Sequence, residues 1–274
     1  MISVLILTKN EEQDLPFCLE SVKWCDDIHV FDSFSTDNTI EIALQAGALV
    51  TQRRFDGYAS QRNAGLTGLV FKHDWLLILD ADERVTDILV NEMRTSVTEA
   101  GPGVNGFRIQ RKDFLYDRWL KHAQLTPFYI RLVKVGKARY HREINEVIQV
   151  DGVVLSLKNH FHHYPFSKGF RYWLEKHNQY SSMEAERWIE EHQKKIEFSW
   201  KKAFFSRDLS EKNYHRKGIY YKMPGRPAIK WLYMVIWKRA FLDGRAGLTY
   251  ATLQSIYEYF IVVKTKELIH KIKK

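Results

Sequence analysis

Two carboxylates, Asp80 and Asp82, flank one alanine directly after the apolar run Trp75–Leu79. At the carboxyl end of a buried strand such a pair can hold a hard divalent cation, Mg2+ or Mn2+. These ions prefer oxygen ligands and share them with substrate phosphates. A cation bridging a diphosphate neutralises charge on a departing nucleotide. The plainer reading is a solvated turn with two aspartates in it. Two more polar stretches end apolar runs. Leu7-Thr8-Lys9-Asn10-Glu11-Glu12 closes Ile2–Leu7 and either binds a nucleoside through backbone and side chains or is an ordinary strand-to-helix loop. Phe31-Asp32-Ser33-Phe34-Ser35-Thr36-Asp37-Asn38-Thr39 closes Ile28–Phe31. There Asp32 can accept from a pyrimidine imide or a ribose hydroxyl, while Asp37 suits a loop or helix cap. No Gly-x-Gly-x-x-Gly follows either run, which speaks against a dinucleotide site.

These residues need a frame. Ile2–Leu7 and Trp75–Leu79 are unbroken apolar runs, as strands covered on both faces are. Asp14-Leu15-Pro16 opens a helix, with Asp14 as cap and Pro16 in the first turn. Ile28–Phe31 reads as a strand, Thr39–Ala46 as a helix stopped by Gly47, and Leu49–Thr51 as a short strand. Ser60–Val70 and Thr86–Val97 read as helices. The β-α-β-α order predicts an α/β chain with a parallel, doubly wound sheet and right-handed crossovers. Such sheets bind ligands beyond the carboxyl ends of their strands. After Gly101-Pro102-Gly103 the pattern loosens: strands at Phe107–Gln110 and Phe128–Val135, then a long helix over Ser167–His192. Gly225-Arg226-Pro227 breaks the chain before helices over Ala228–Phe241 and Thr249–Ile272.

Four stretches now gain weight from their order and spacing: VLILTKNEE (Val4–Glu12), VFDSFSTDNT (Val30–Thr39), SQRNAGL (Ser60–Leu66) and LILDADE (Leu77–Glu83). Together they resemble the family 2 glycosyltransferases, inverting enzymes of the GT-A fold. YDRWLKH (Tyr116–His122), PFYIRLVK (Pro127–Lys134), INEVIQVDG (Ile144–Gly152) and HFHHYPF (His160–Phe166) are similar to bacterial enzymes that extend lipopolysaccharide core or related surface glycans. That likeness continues through YWLEKHNQYSS (Tyr172–Ser182) and FLDGRAGLTYA (Phe241–Ala251). The resemblance implies a GT-A, Rossmann-like, mostly parallel sheet flanked by helices, with a helical C-terminal extension. The expected division is a catalytic domain over residues 1–192 and a basic helical region over 193–274. Within the former, the nucleotide-sugar side takes residues 1–100 and the acceptor side 101–192. The resemblance also implies roles: Thr8, Asn10 and Glu11 line the nucleoside pocket, with Glu11 or Glu12 near the ribose. Asp32 contacts the base, Arg62 and Asn63 lie near the donor, Asp80 meets the ribose or donor sugar, and Asp82 ligates the metal.

An inverting transfer needs one general base to take the acceptor hydroxyl's proton as that oxygen attacks the anomeric carbon. The transition state has oxocarbenium character, as in glycoside hydrolysis. Glu146 is the candidate. Related enzymes read His-Glu where this chain has Asn145-Glu146, which keeps the carboxylate and puts any role of the histidine in doubt. Glu143 and Asp113 are the alternative bases, and a surface carboxylate on a strand edge is the plain reading of Glu146. His160 and His162 share one strand face, but no Cys or third-ligand motif accompanies them, so a zinc site is not expected. His163 either meets the metal or the leaving diphosphate, or serves its strand. His122 and Arg131 either shape the acceptor pocket or belong to packing and surface.

The balance of charge separates front from rear. The 274 residues carry a net charge of +9, but residues 193–274 hold 19 Lys and Arg against 6 Asp and Glu. Residues 1–192 are therefore slightly acidic. In the rear, Ile229–Phe241 interleaves Trp231, Leu232, Tyr233, Val235, Ile236, Trp237 and Phe241 with Lys230, Lys238 and Arg239. An aromatic, basic, amphipathic helix of this kind can lie in an anionic membrane surface, or it can pack on the catalytic domain with a solvated basic face. Nucleic acid is the other use of such charge, but no helix-turn-helix, zinc finger or RNP signature is present. Ile2–Leu7 is too short for a signal peptide, and no run reaches the length of a membrane span. Cys18 and Cys25 form no disulfide framework, which fits a reducing cytoplasm. The expected protein is cytoplasmic and peripheral on the inner face of the cytoplasmic membrane. It moves a sugar from a nucleotide-sugar, in the first place a UDP-sugar, to a lipid-linked saccharide with a divalent cation. Its rivals are a nucleotidyltransferase, which would need a glycine-rich phosphate loop after the first strand, and a scaffold that binds nucleotide-sugar without turnover.

Overall fold

The computed structural model describes residues 1–124, 126–141, 147–193, 199–206, 208–223 and 225–272. In chain order the front half runs β1 (Ile2–Thr8), α1 (Leu15–Ser21), β2 (Ile28–Asp32), α2 (Thr39–Gln45), β3 (Leu49–Gln52), α3 (Tyr58–Gly68), β4 (Trp75–Asp80), β5 (Glu83–Arg84), α4 (Asp87–Thr98) and β6 (Val104–Leu115). There follow β7 (Arg118–Trp119), β8 (Phe128–Lys134), β9 (Ala138–His141), β10 (Val147–Val150) and β11 (Val153–His163). The rear is helical: α5 (Gly169–Gln193), α6 (Trp200–Phe205), α7 (Leu209–Lys222), α8 (Arg226–Leu232), a π-helical turn Tyr233–Trp237, a 3-10 turn Ala240–Asp243 and α9 (Gly244–Ile272). The chain divides into two compact units, Met1–Phe114 with Thr126–Ser167, and Leu115–Leu125 with Lys168–Lys274.

The first unit is built on one sheet of order β3-β2-β1-β4-β8-β6-β11-β5. Its β3-β2-β1-β4 half is parallel, as the unbroken apolar runs predict. β8 runs antiparallel to both β4 and β6, whereas β11 is parallel to β6, so the sheet is mixed but mostly parallel. Alternation along β1 divides the core. Ile2, Val4 and Ile6 face α1 and α4 with Leu15, Cys18, Leu19, Leu89 and Met93. Leu5 faces the other way with Phe31, Leu76, Ile78 and the α3 residues Ala59 and Leu66. Gly65 lets α3 lie close on that face, since an added Cβ would stand 3.1 Å from Leu5 Cδ2. Register then does the functional work: Thr8 lies beside Asp32, and Leu7 beside Asp80, so three polar strand ends meet at one edge.

Four elements differ from the sequence reading: α1, β6, β11 and the segment Ala228–Phe241. Asp14 stands at the N-terminus of α1 but makes no capping bond there. Its carboxylate instead accepts from Ser167 Oγ at 2.6 Å and faces Arg84 at 4.0 Å. β6 is twelve residues long and β11 eleven, where the sequence suggested only short or irregular pieces. The segment Ala228–Phe241 is not one helix. α8 passes into a π-turn, Arg239 adopts the left-handed region (φ 57°), and a 3-10 turn follows. In the second unit α5 and α8 pack along α9, which places α5 with the rear of the chain. Arg226 at the start of α8 pairs with Glu258 of α9 at 2.9 Å. Lys264 of α9 donates to Asn178 Oδ1, Ser181 Oγ and Ser182 Oγ of α5.

Candidate active site

The loops after β1 and β2 are sewn together at the edge where their strands end. Asn10 takes a left-handed φ of 55° and accepts at Oδ1 from the Thr36 backbone N–H at 2.8 Å. Its own N–H donates to Ser35 Oγ, and the Glu11 N–H donates to Thr39 Oγ1. Glu12 accepts from the Asn38 side-chain amide, and its N–H donates to Asp37. Lys9 Nζ donates to the Ser33 carbonyl at 2.8 Å. At the base of this lacing lies Asp32, fully buried, which accepts from Thr8 Oγ1 (2.9 Å), the Ser35 N–H (2.8 Å), Ser35 Oγ and Gln52 Nε2. Thr8, Asn10, Glu11 and Asp32 are thus brought together, and both oxygens of Asp32 already hold the two loops in place.

Beneath the neighbouring strand end lies a network of four charges. Arg62 of α3 donates from Nη2 to both oxygens of Asp80, at 2.8 and 3.1 Å. Arg131 of β8 donates to Asp80 Oδ2 at 3.0 Å and to Glu83 Oε1 at 2.6 Å. The other oxygen of Glu83 accepts from the Asp80 N–H. Burial alone would raise the Asp80 carboxyl, but the two guanidiniums outweigh it and hold the group ionised well below the usual carboxylate range. For Glu83 burial wins: despite Arg131, its carboxyl is raised, with Asp80 and Asp82 adding to the shift. Arg131 was a candidate for the acceptor pocket; its guanidinium is instead sunk beneath the acidic triplet. Asn63, expected near the donor, forms a two-way bracket with β9. It donates to the Tyr140 carbonyl at 2.8 Å and accepts from the Tyr140 N–H at 2.7 Å.

Asp82 differs from Asp80 in its surroundings. The end of β11 runs back along β5, with His163 opposite Glu83, and this brings His163 Nε2 to 3.2 Å from Asp82 Oδ2. The other ring nitrogen, Nδ1, hydrogen-bonds Asp113 of β6, and Asp113 in turn pairs with Arg111 at 3.0 Å. The result is a line, Arg111–Asp113–His163–Asp82, that fixes the ring with Nε2 toward Asp82. Burial lowers the imidazole's affinity for a proton, yet Asp82 and Asp113 more than reverse this and lift His163 to about 9. Asp113, one of the alternative bases, is 2% exposed and engaged by Arg111 and His163, so it is not placed to receive a proton from an acceptor. His160 and His162 stack on each other, and His162 also packs on Phe114, apart from the His163 line. Glu146 and Glu143 lie outside the described residues. Arg111 and Glu83 were not singled out in the sequence. Glu83's partner Arg131 lies on another strand, β8, whereas Arg111 pairs with Asp113 two residues on in β6; the hints were local, Glu83 three residues from Asp80 in LILDADE and Arg111 two from Asp113.

Among the described residues no group of three or more His, Cys, Asp or Glu side chains is poised for a metal. Asp82 nonetheless offers a carboxylate oxygen, and His163 Nε2 beside it offers a nitrogen once the incoming cation displaces its proton; phosphate and water can supply the remaining positions of an Mn2+ or Mg2+ ion. Asp80, held by two arginines, is not free to act as a ligand.

A family model described as Glycosyl transferase family 2 matches residues 3–171, which takes in both loops, the charge network and the Asp82–His163 pair. The chain belongs to that family. The lipopolysaccharide core biosynthesis glycosyltransferase LpsC of Rhizobium meliloti is similar to this family 2 member, at 28% identity over 199 residues that cover 69% of this chain and 72% of that protein. An uncharacterized glycosyltransferase of Rickettsia bellii is 40% identical over 93 residues, 34% of this chain and 31% of the Rickettsia protein. The chain thus spans about a third of that relative's length. Among solved structures, TarS 1–349 of S. aureus superposes with a TM-score of 0.48 at 14% identity, covering 98% of this chain and 91% of that one.

Proposed function

We propose that this family 2 member transfers a sugar, with inversion, from a nucleotide-sugar donor to a saccharide acceptor of the lipopolysaccharide core or a related surface glycan. The observation that carries the reading is the division of labour inside Asp80-Ala81-Asp82. One acid is locked by Arg62 and Arg131, and the other stands beside His163 at the edge where the two loops meet. The laced loops, held by Asp32, would cradle the nucleoside, with Glu11 and Asn10 nearest the solvent side. The charge network would keep the Asp82 turn rigid, so that Asp82 and His163 hold a divalent cation against the donor's diphosphate. When bound, that cation neutralises charge on the leaving nucleoside diphosphate.

In the reaction an acceptor oxygen forms a bond to the anomeric carbon as the bond from that carbon to the diphosphate breaks on the opposite face. Glu146 takes the acceptor hydroxyl's proton. Asn63 contributes at a distance by bracketing Tyr140, a few residues before Glu146. The rear of the chain supplies the membrane contact of the proposal, since Ile236 and Trp237 are 65% and 79% exposed beside Lys230, Lys238 and Arg239. No described helix is long and apolar enough to cross a membrane. The test of the chemistry is Glu146→Gln assayed with UDP-sugars and Mn2+. Donor binding should persist while transfer to acceptor falls by about a thousandfold. Undiminished transfer would eliminate Glu146 as the base, and pyrophosphate release would favour a nucleotidyltransferase instead.

A further inference from the structure

Within the second unit a cleft of about 560 Å³ opens between the turn at Tyr116–Arg118 and the turn that leads into α9. This is the size of a pocket for a small ligand. Tyr116 and Phe241, 60% and 51% exposed, present ring surface to it, and Arg118 and Arg245 stand on its walls. Neither arginine has a hydrogen-bond or ion-pair partner among the described residues. The floor is pre-formed. Asp243, 3% exposed, accepts from the backbone N–H groups of His122 (2.8 Å) and Ala123 (2.7 Å), and its second oxygen bonds His122 Nδ1 at 2.7 Å. Its carboxylate is therefore committed to this clamp rather than opposed to an incoming anion. Gly247 lets the first turn of α9 settle on Ala240, since an added Cβ would stand 2.0 Å from the Ala240 carbonyl oxygen.

Backbone strain marks the same place. Five described non-glycine residues hold a left-handed φ: Asn10, Phe34, Tyr116, Asp117 and Arg239. Asn10 and Phe34 belong to the two loops of the proposed nucleotide site. The other three belong to the two turns that bound this cleft. Such residues are disfavoured and gather where a binding surface over-determines them. Two free guanidiniums and two open rings are the complement of a sugar with an anionic substituent. Arginine takes phosphate or carboxylate in a forked arrangement, and aromatic faces cover the C–H side of a pyranose.

We propose that this cleft binds a saccharide bearing a phosphate or carboxylate group. On the transferase reading, on which this step rests, that saccharide is the non-reacting part of the acceptor. The test is calorimetry on the full chain with glucose 6-phosphate, glucuronate, glucose and inorganic phosphate, alongside UDP with Mn2+ as a check on the other site. Either or both of the anionic sugars should bind at least tenfold more tightly than glucose and than phosphate. The double variant Arg118→Gln/Arg245→Gln should weaken them at least tenfold, Tyr116→Ala/Phe241→Ala should weaken the sugars but not phosphate, and UDP binding should be unchanged in both. Anionic-sugar binding that ignores the arginines, or that matches inorganic phosphate, would overturn the assignment. So would arginine-dependent binding to phosphatidylglycerol vesicles without any sugar binding, which would give the cleft to a lipid headgroup. Arginine-dependent sugar binding in a chain that fails to bind UDP would uphold the cleft and sink the transferase reading.

Discussion

At the strand ends of the first unit, charges meet as largely buried pairs: Arg62 and Arg131 on Asp80, Arg131 on Glu83, Arg111 on Asp113, and His163 between Asp113 and Asp82. In the second unit, Lys230 and Lys238 are half-buried and Arg239 and Arg245 exposed, next to the open side chains of Leu232, Tyr233, Ile236 and Trp237. A paired charge in a low-dielectric site is pre-organised and does not rearrange when substrate charge changes, which is what a reaction centre needs. An exposed cation such as Arg239 keeps its field for a partner. The contrast teaches that the excess basic charge of residues 193–274 and the acidic triplet near residue 80 have different physical uses within one chain.

Removing one member of a buried pair should have the largest effect on stability. Arg131→Leu leaves Glu83 buried and Asp80 half neutralised, so it should destabilise the chain by about 3 kcal/mol or more in urea unfolding. Arg239→Gln in the second unit should change it by less than about 0.5 kcal/mol. Equal effects would erase the contrast. The pH dependence sharpens it. His163 holds its proton to about 9 in the folded, metal-free chain, against an ordinary histidine value of 6.5. A raised folded value contributes stability that is fully present below 6.5 and is lost as pH rises through 9. Metal-free protein should therefore lose on the order of 3 kcal/mol, at most, between those limits. His163→Asn should flatten that slope, and an unaltered slope would contradict the Asp113–His163–Asp82 line. The smallest effects belong to the cations around the turn after α8, half-buried Lys230 and Lys238 and exposed Arg239. Each of Lys230→Gln, Lys238→Gln and Arg239→Gln should cost about 1 kcal/mol of binding to anionic vesicles at low salt, read by flotation. Trp237→Ala with Ile236→Ala should weaken binding at high salt as well. Wild-type protein that fails to float at low salt would remove the membrane role.

Much of the site's frame was legible because the information is local. Ile2–Leu7 and Trp75–Leu79 are apolar throughout, so β1 and β4 announce themselves as covered strands, and the polar residues after them fall at one edge. Arg131 could not be read. It sits in an apolar strand 51 residues from Asp80, and nothing in its neighbours shows that β8 lies next to β4. Asn63 is expected near the donor by likeness; that its amide copies a peptide group and brackets β9 is a long-range pairing no local pattern shows. Only the His160–His162 end of β11 reads as strand, because the burial of the rest follows no clean alternation, with exposed Val153 and Leu155 at its start and a register shift before His160. The aromatic stretch near Trp237 reads as one helix because nothing local foretells that Arg239 turns left-handed and sends the chain into a 3-10 turn.

In the proposed mechanism Asp82, with His163, holds a cation against a nucleoside diphosphate, while Asp80 is tied up by arginines. Titrating UDP into the chain with and without Mn2+ tests it directly, for wild type and for Asp82→Ala. Mn2+ should tighten UDP binding at least tenfold in the wild type and leave the variant's weak binding unchanged. An equal gain from Mn2+ in both proteins would take the cation away from Asp82.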